Sequence, residues 1–511
     1  MNILKKLFFS IFFSINLFAT LDFTNPTSTP AGTPDLVPGG SIQKMVTDTT
    51  GQYVYAIWSK FDGLVTRIQV AISSDYGVNW TYPVSTQWGT PNLSEPGTSF
   101  GEDAKNPEIA TDDSGQYVYA IWGRNNGTDY IVQMAYSDDY GVNWSNVTDL
   151  ADVGTIVYNS GLAPKISTDS SGQYVYAVWT EDSGASGSVE SAYSNDFGQS
   201  WTNVLVSNAE EPGEVQLSAN STGQYVYAIW KDYISPSYDL KSAYSNDFGQ
   251  SWTPVPNLVT ANSNISNYKI INSDSGQYVY AIWLASDGIV SRAQVGISSN
   301  YGVSWSSPLS TPATDGSPNL SQPRTGSSDG AAGYIGITAS SSGQKIYAIW
   351  ARYDGTISRV QVAISSNYGN TWINPTATTA SDGSPNLSEP RLGSSDGDSA
   401  NCQIATNSTG TNVYAVWSRT NVSLKKPAQL AMSSDSGITW TDPTTTPPGT
   451  TPPDLSLVSV YSIVGVSTNF SGEYVYTIWN DPYGPLQVAN GLFSVSPFRI
   501  AFPISLMPIK N

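Results

Sequence analysis

Histidine is absent from this chain of 511 residues, and cysteine occurs once, as Cys402. Without histidine there is no Ser-His-Asp triad, no imidazole general base and no His-ligated metal site. A single cysteine excludes an intramolecular disulfide framework and a thiolate metal cluster, so Cys402 reads as a small buried hydrophobe. Charge is scarce as well. Charged residues make up 12% of the chain, and Asp+Glu (41) outnumber Lys+Arg (22), giving a formal net charge of −19. An acidic surface repels phosphate backbones, which argues against nucleic acid as a partner. Long apolar runs are missing after the first twenty residues, so no later segment is expected to span a bilayer.

Those first twenty residues, MNILKKLFFSIFFSINLFAT, set Lys5 and Lys6 before an apolar stretch from Leu7 to Phe18, with Ala19 as a small residue for cleavage. The pattern is that of a secretory signal peptide. It predicts a protein that is secreted, periplasmic or on the cell surface and without a membrane span once mature; a monomer is the expected state.

What the chain has in quantity is glycine (44), proline (31), tyrosine (31) and tryptophan (16). These suit short half-buried strands joined by many turns. One phrase recurs, typified by GQYVYAIW, ending at Trp58, Trp122, Trp179, Trp230, Trp283, Trp350, Trp417 and Trp479. The mean spacing is about 60 residues, a period that means a propeller or solenoid unit. Each copy is rich in Val, Ile, Tyr and Trp, follows a glycine turn, and reads as a buried strand.

A second phrase, Ser-x-Asp-x-Gly-x-x-Trp, follows at a fixed distance in seven units and ends at Trp80, Trp144, Trp201, Trp252, Trp305, Trp372 and Trp440. Its carboxylates are Asp75, Asp139, Asp196, Asp247 and Asp435, with Asn300 and Asn367 in the other two copies. An Asp in a tight turn accepts hydrogen bonds from backbone N–H groups two residues on, and Asn makes the same turn. The tolerance of Asn points to a structural role and away from a metal or catalytic one.

Seven such turns in register, each behind a YVYAIW-like strand, resemble the BNR/Asp-box repeats of the sialidase-like β-propellers. The resemblance covers roughly residues 22–490. It implies an all-β fold: a β-propeller of about eight four-stranded blades, with each Asp box joining the third and fourth strands. In the third unit the strands would be Pro164–Asp169, the YVYAVW phrase, Val189–Ser194 and Ser200–Ser207. The eighth unit lacks an Asp box. Phe23-Thr24-Asn25-Pro26 followed by TSTPAGTPDL resembles Trp440-Thr441-Asp442-Pro443 followed by TTTPPGTTPPDL, so the N-terminal strand is expected to close the last blade. The alternative is closure by residues 492–506. The domain plan is therefore residues 1–20 as signal peptide, 21–491 as propeller, and 492–511 as tail or closing strand.

On this plan the Asp boxes occupy one face, and ligand sites belong to the other. There the first, fifth and sixth units carry similar hairpins (FDGLVTR, SDGIVSR, YDGTISR) and long loops (TPNLSEP, SPNLSQPR, SPNLSEPR). Arg67, Arg292, Arg359, Arg324, Arg391, Glu95 and Glu389 are the candidate ligand-binding residues, since arginine forks suit acidic or hydroxyl-rich sugars. Acidic residues outside the pattern, such as Glu102-Asp103 and Glu210-Glu211 with Glu214, read as solvated loops. The family's sialidases use an arginine triad, a Tyr–Glu nucleophile and an Asp acid/base. None of these transfers residue by residue, and the Phe498-Arg499-Ile500-Ala501 segment sits at the wrong end of the chain. The expected function is non-catalytic binding of a glycan or an extracellular surface protein, with no cofactor and no metal. The alternative is an exo-sialidase-like glycoside hydrolase acting on sialylated or other acidic glycans.

Overall fold

The computed structural model describes residues 18–32, 35–38, 41–150, 163–182, 187–234, 237–259, 265–326, 328–393, 397–421, 423–447, 450, 453–456, 462–480 and 485–496. Residues 1–17 of the expected leader, and residues 497–506 of the alternative closing strand, lie outside them. Among the described residues there are strands and no helix, arranged as eight antiparallel sheets. Each sheet is one repeat. In the third unit the strands are Lys165–Thr168, Val175–Asp182, Gly187–Ser194 and Thr202–Ala209, paired in chain order.

The fourth strand is where the structure departs from a uniform four-stranded unit. It is present in the second, third and fourth units, but the first, fifth, sixth and seventh sheets have three strands each. In those four units the place of the fourth strand is held by isolated bridges, such as Ile72 to Thr81 and Ile297 to Ser306. The reason is written three residues after each Asp-box tryptophan, where Pro83, Pro308, Pro375 and Pro443 stand. Proline has no N–H to continue a ladder. The chain instead crosses to its neighbour: Ser85 bridges Asn143 in the second unit, and Ala377 bridges Thr439 in the seventh.

The last sheet combines both chain ends. Phe18–Thr24 pairs antiparallel with Pro485–Ser496, from Phe18 opposite Ser496 to Thr24 opposite Asn490. That strand in turn pairs with Tyr474–Asn480, and this with Ser462–Thr468. Residues 492–496 thus continue a third strand.

The core is divided into eight clusters, each filling the junction between two successive sheets, including one between the eighth and the first. This is why the YVYAIW strands are buried along their whole length and do not alternate: both of their faces meet a neighbouring sheet. Two further sets of contacts run through all eight units and return to the start. Each second-strand tyrosine donates its hydroxyl to a glycine carbonyl of the next unit, from Tyr55 to Gly115 (2.6 Å) through Tyr476 to Gly51 (2.6 Å). Backbone N–H groups do likewise, from Thr49 to Asp113, Ser170, Ser221, Asp274, Ser341, Ser408 and Phe470, and from Phe470 back to Thr49.

The Asp-box turn has a finer geometry than two-residue spacing suggests. Asp75 Oδ1 accepts the N–H of Asn79, four residues on, at 2.8 Å, and also the Ser73 hydroxyl at 3.0 Å. The Trp80 indole N–H closes the turn onto the Gly77 carbonyl at 3.1 Å. Both Tyr76 (φ 63°) and Gly77 (φ 76°) are left-handed. The positive φ aims Tyr76 at the preceding sheet, where it stacks on Tyr474 at 4.4 Å. Five more junctions carry the same aromatic pair at 4.2–4.5 Å. At the junction of the sixth and seventh units both aromatics are replaced, and Lys345 Nζ donates to Ser436 Oγ at 2.8 Å.

Asn300 and Asn367 accept the same backbone N–H, from Ser304 at 3.0 Å and Thr371 at 2.9 Å. Asp139→Ala is therefore expected to lower unfolding stability by about 1–2 kcal/mol. Asp139→Asn should cost no more than about 0.5 kcal/mol. Chemical denaturation of both variants checks this, and an Asn variant as damaged as the Ala variant would show that the charge is needed.

Candidate functional site

The seven loop residues picked out by sequence do not form one constellation. Arg67, Arg292 and Arg359 are 6%, 1% and 2% exposed, each enclosed in its own unit. Arg67 Nε donates to the Ser94 carbonyl and Arg359 Nε to the Ser388 carbonyl, both at 3.0 Å. Arg292 reaches Asp315 at 2.8 Å, and Arg359 reaches Asp382 at the same distance. Arg67 lies 3.7 Å from Asp62. The long loops are docked by their own motif: Leu93, Leu320 and Leu387 are buried. The Ser94, Ser321 and Ser388 hydroxyls accept the N–H groups of Ile68, Ala293 and Val360.

These arginines clamp a loop to a hairpin, which explains why hairpin and loop recur together. Glu95 pairs with Arg124 at 2.9 Å, and Glu389 accepts the Ser381 hydroxyl at 2.8 Å. Arg324 donates to Gly326, and Arg391 to Thr356 at 3.4 Å. Glu102 accepts the Thr98 N–H at 2.7 Å, so it staples its loop and is not a solvated residue.

A different set of residues converges. Counting back fourteen residues from each YVYAIW-type tryptophan gives Lys44, Glu108, Lys165, Gln216, Lys269, Gly336, Gln403 and Gly465. All eight lie on the first strand of their unit, opposite the Ile or Val that precedes the tryptophan. First strands of six units line a cavity of about 660 Å³ that includes Lys44, Lys165, Lys231, Lys269 and Glu214. In seven of the eight units the strand register shifts just before this position. Asn106, Asn267, Tyr334 and Asn401 take positive φ at those bulges. Bulges re-aim side chains beside sites, and Asn tolerates this conformation, whereas Tyr334 is strained in it.

The charges are unevenly matched. Glu108 Oε1 meets Lys44 at 3.2 Å and Lys165 at 2.8 Å, and Lys165 also meets Glu214 at 2.8 Å. Glu214, expected in a solvated loop, is thus part of a first strand and of this network. Burial would raise the Glu108 carboxyl, but Lys44 and Lys165 hold it below the ordinary range. Burial would lower Lys165, but Glu108 and Glu214 hold it up. Lys231 lies over the Tyr238 ring at 4.8 Å. Lys269 Nζ donates to the neutral Gln403 Oε1 at 3.0 Å. Burial first, then the charge of Lys44, pulls the Lys269 ammonium down to about 8.

Just past the ends of the same strands, Asp113 and Asp274 sit in turns beside two smaller cavities of about 250 and 360 Å³. Burial raises both carboxyls. Asp442, raised to about 6 by burial and then by Glu389 and Asp454, is outside the set lining the large cavity. Among the described residues, no group of three His, Cys, Asp or Glu side chains could hold a metal ion. No helix among them is long and apolar enough to cross a membrane.

The class these observations define is an all-β array of Asp-box hairpins. Residues 66–316 match the model of the BNR repeat-like domain family. No curated protein matches the chain. Among solved structures it is similar to a Hadza microbial sialidase at 15% identity and TM-score 0.38, covering 63% of this chain and 64% of that one. It is similar to a polysaccharide lyase, an ulvan lyase, at 11% identity and TM-score 0.44, covering 83% and 96%. It is also similar to Penicillium chrysogenum α-L-arabinanase at 12% identity and TM-score 0.39, covering 76% and 92%. The chain thus spans just under two thirds of the length of the sialidase.

Proposed function

We propose that the eight sheets close into one eight-bladed propeller, and that the mature protein is an exported, monomeric, non-catalytic module that binds a glycan. Closure is supported by the tyrosine–glycine and backbone hydrogen-bond series, both of which return from the eighth unit to the first. The binding reading is carried by the large cavity, lined by first strands of six units, with lysines from three of them and the strained Tyr334 from a fourth. Its size suits one or two sugar rings. Glycoside hydrolysis needs a carboxyl held protonated beside a second carboxylate. Here Glu108 and Glu214 are instead tied to Lys165. Arg324, Arg391, Glu95 and Glu389 then belong to loops bordering the binding face, with Arg67, Arg292 and Arg359 holding those loops in place.

Two measurements on purified protein test this reading. A glycan array is expected to give saturable binding, and a fluorogenic sialoside is expected to stay intact. Sialoside turnover that is lost in Arg324→Ala or Arg391→Ala would replace the binding module with a hydrolase.

A further inference from the structure

We propose that the large cavity is the receptor for one oxyanion, a carboxylate or a sulfate ester, carried by an acidic glycan, and that Lys269 is the ammonium that receives it. This rests on the glycan-binding reading and names its ligand class.

Charge balance is the first support. The cavity gathers Lys44, Lys165, Lys231 and Lys269, against Glu214 on its wall and Glu108 bound to two of the lysines. Four cations against two anions leave a positive surplus, in a chain whose formal net charge is −19. Such a local excess of the minority sign focuses anions into the cleft.

The second support is the position of Lys269. Its partner Gln403 belongs to the seventh unit, so the lysine of the fifth unit reaches past the sixth. The sixth unit permits this because its equivalent position is Gly336, which has no side chain. Among the described residues, Lys44 and Lys165 each meet a carboxylate, whereas Lys269 meets an amide oxygen and forms no ion pair. A partly buried ammonium satisfied only by a neutral acceptor gains a charge-assisted bond when an oxyanion arrives. Tyr334, on the same wall and 49% exposed, offers a ring for an apolar sugar face.

Titration supplies a signature. The groups whose charge acts on Lys269 are Lys44 and Lys165, which lower it, and Glu108 and Cys402, which raise it. Glu214 and Lys231 complete the cavity's charged set. Glu108 is held down, Lys165 is held up and burial pushes the Cys402 thiol up to about 12. Lys269, pulled down to about 8, changes charge near that pH. The anion needs the charged form, so affinity is greatest below that pH and falls as pH rises through it.

Isothermal titration of the full chain with a galacturonate tetramer, a sulfated galactan tetramer and a neutral galactan tetramer tests the assignment. Whichever acidic tetramer binds better identifies the oxyanion, and the neutral one should bind at least about tenfold more weakly. Lys269→Met should lower acidic affinity about 10- to 100-fold, the scale of a hydrogen bond to a charged group. Its melting temperature should be unchanged or raised, because a partly buried charge is removed. Lys269→Arg should bind at about the original strength and lose the fall in affinity between roughly pH 7 and 9.5, since guanidinium does not titrate there. Wild-type affinity in the Met variant, or equal binding of acidic and neutral tetramers, would overturn the proposal while leaving glycan binding standing. No binding of any glycan would overturn both.

Discussion

Deletion of residues 21–30 is expected to abolish cooperative folding or cause aggregation, even though the deleted stretch looks like a polar, Pro-rich tail. Leu21 and Phe23 are 0% and 1% exposed and pack in one cluster with Tyr414, Val416 and Trp479. Each large-to-small loss at such a site costs about 2–5 kcal/mol. The deletion also removes the outermost strand from Pro485–Ser496, leaving an unpaired edge open to intermolecular pairing. Thr27 would in addition cease to donate to Val78 in the Asp-box turn of the first unit. Light scattering and thermal unfolding read the outcome. A soluble protein melting within about two degrees of the intact one would mean that residues 485–496 hold the last sheet without this strand, and would remove the basis for closure at that point.

Arg292→Ala is expected to be the most damaging single substitution in the elaborated loops, and to act on stability. The side chain donates to Asp287 at 3.3 Å, to both oxygens of Asp315 at 2.8 and 3.0 Å, and to the Ser321 carbonyl. Removing one partner of a buried pair strands the others, at a cost of about 3–5 kcal/mol, the lower end applying here because Asp315 is part exposed. Arg292→Lys should recover little, because an ammonium cannot reproduce the two-oxygen fork. Arg359→Ala should behave alike through Asp382. Glycan affinity, measured where the variants remain folded, should change less than about threefold, since neither arginine lines the large cavity. Unchanged melting together with lost affinity would return these arginines to the role of ligand contacts.

Much of this could be read from the residues because it is local. Val54–Phe61 and its seven counterparts are strands, and each Ser-x-Asp-x-Gly-x-x-Trp is a turn whose hydrogen bonds run two to four residues. The proline that stops the fourth strand in half of the units was visible too, three residues past the tryptophan. An averaged repeat hides it, because averaging removes the features that single copies carry. The junction of Lys345 with Ser436 carries the same lesson, for two substitutions 91 residues apart are a single change in space.

The site was harder to read. Likeness between the first, fifth and sixth units drew attention to arginines that are alike because they perform the same clamping task. The cavity residues occupy one column, fourteen before each tryptophan, where otherwise similar copies differ: Lys, Glu, Lys, Gln, Lys, Gly, Gln, Gly. That divergence was the available signal. Taken singly, each of these residues is an unremarkable polar position in a short strand.

The sequence by itself determined the repeat, its strands, its turns and the likeness of the N-terminal segment to the segment at Trp440, because period, turn chemistry and apolar pattern are properties of neighbouring residues. Only the tertiary structure decided which side chains meet. It buried Arg292 against Asp315, set Glu108 between Lys44 and Lys165, and carried Lys269 across to Gln403. Those contacts join units 57 to 134 residues apart, or a hairpin to its own long loop. They depend on the packing of whole sheets against one another, for which no local pattern of residues stands as a code.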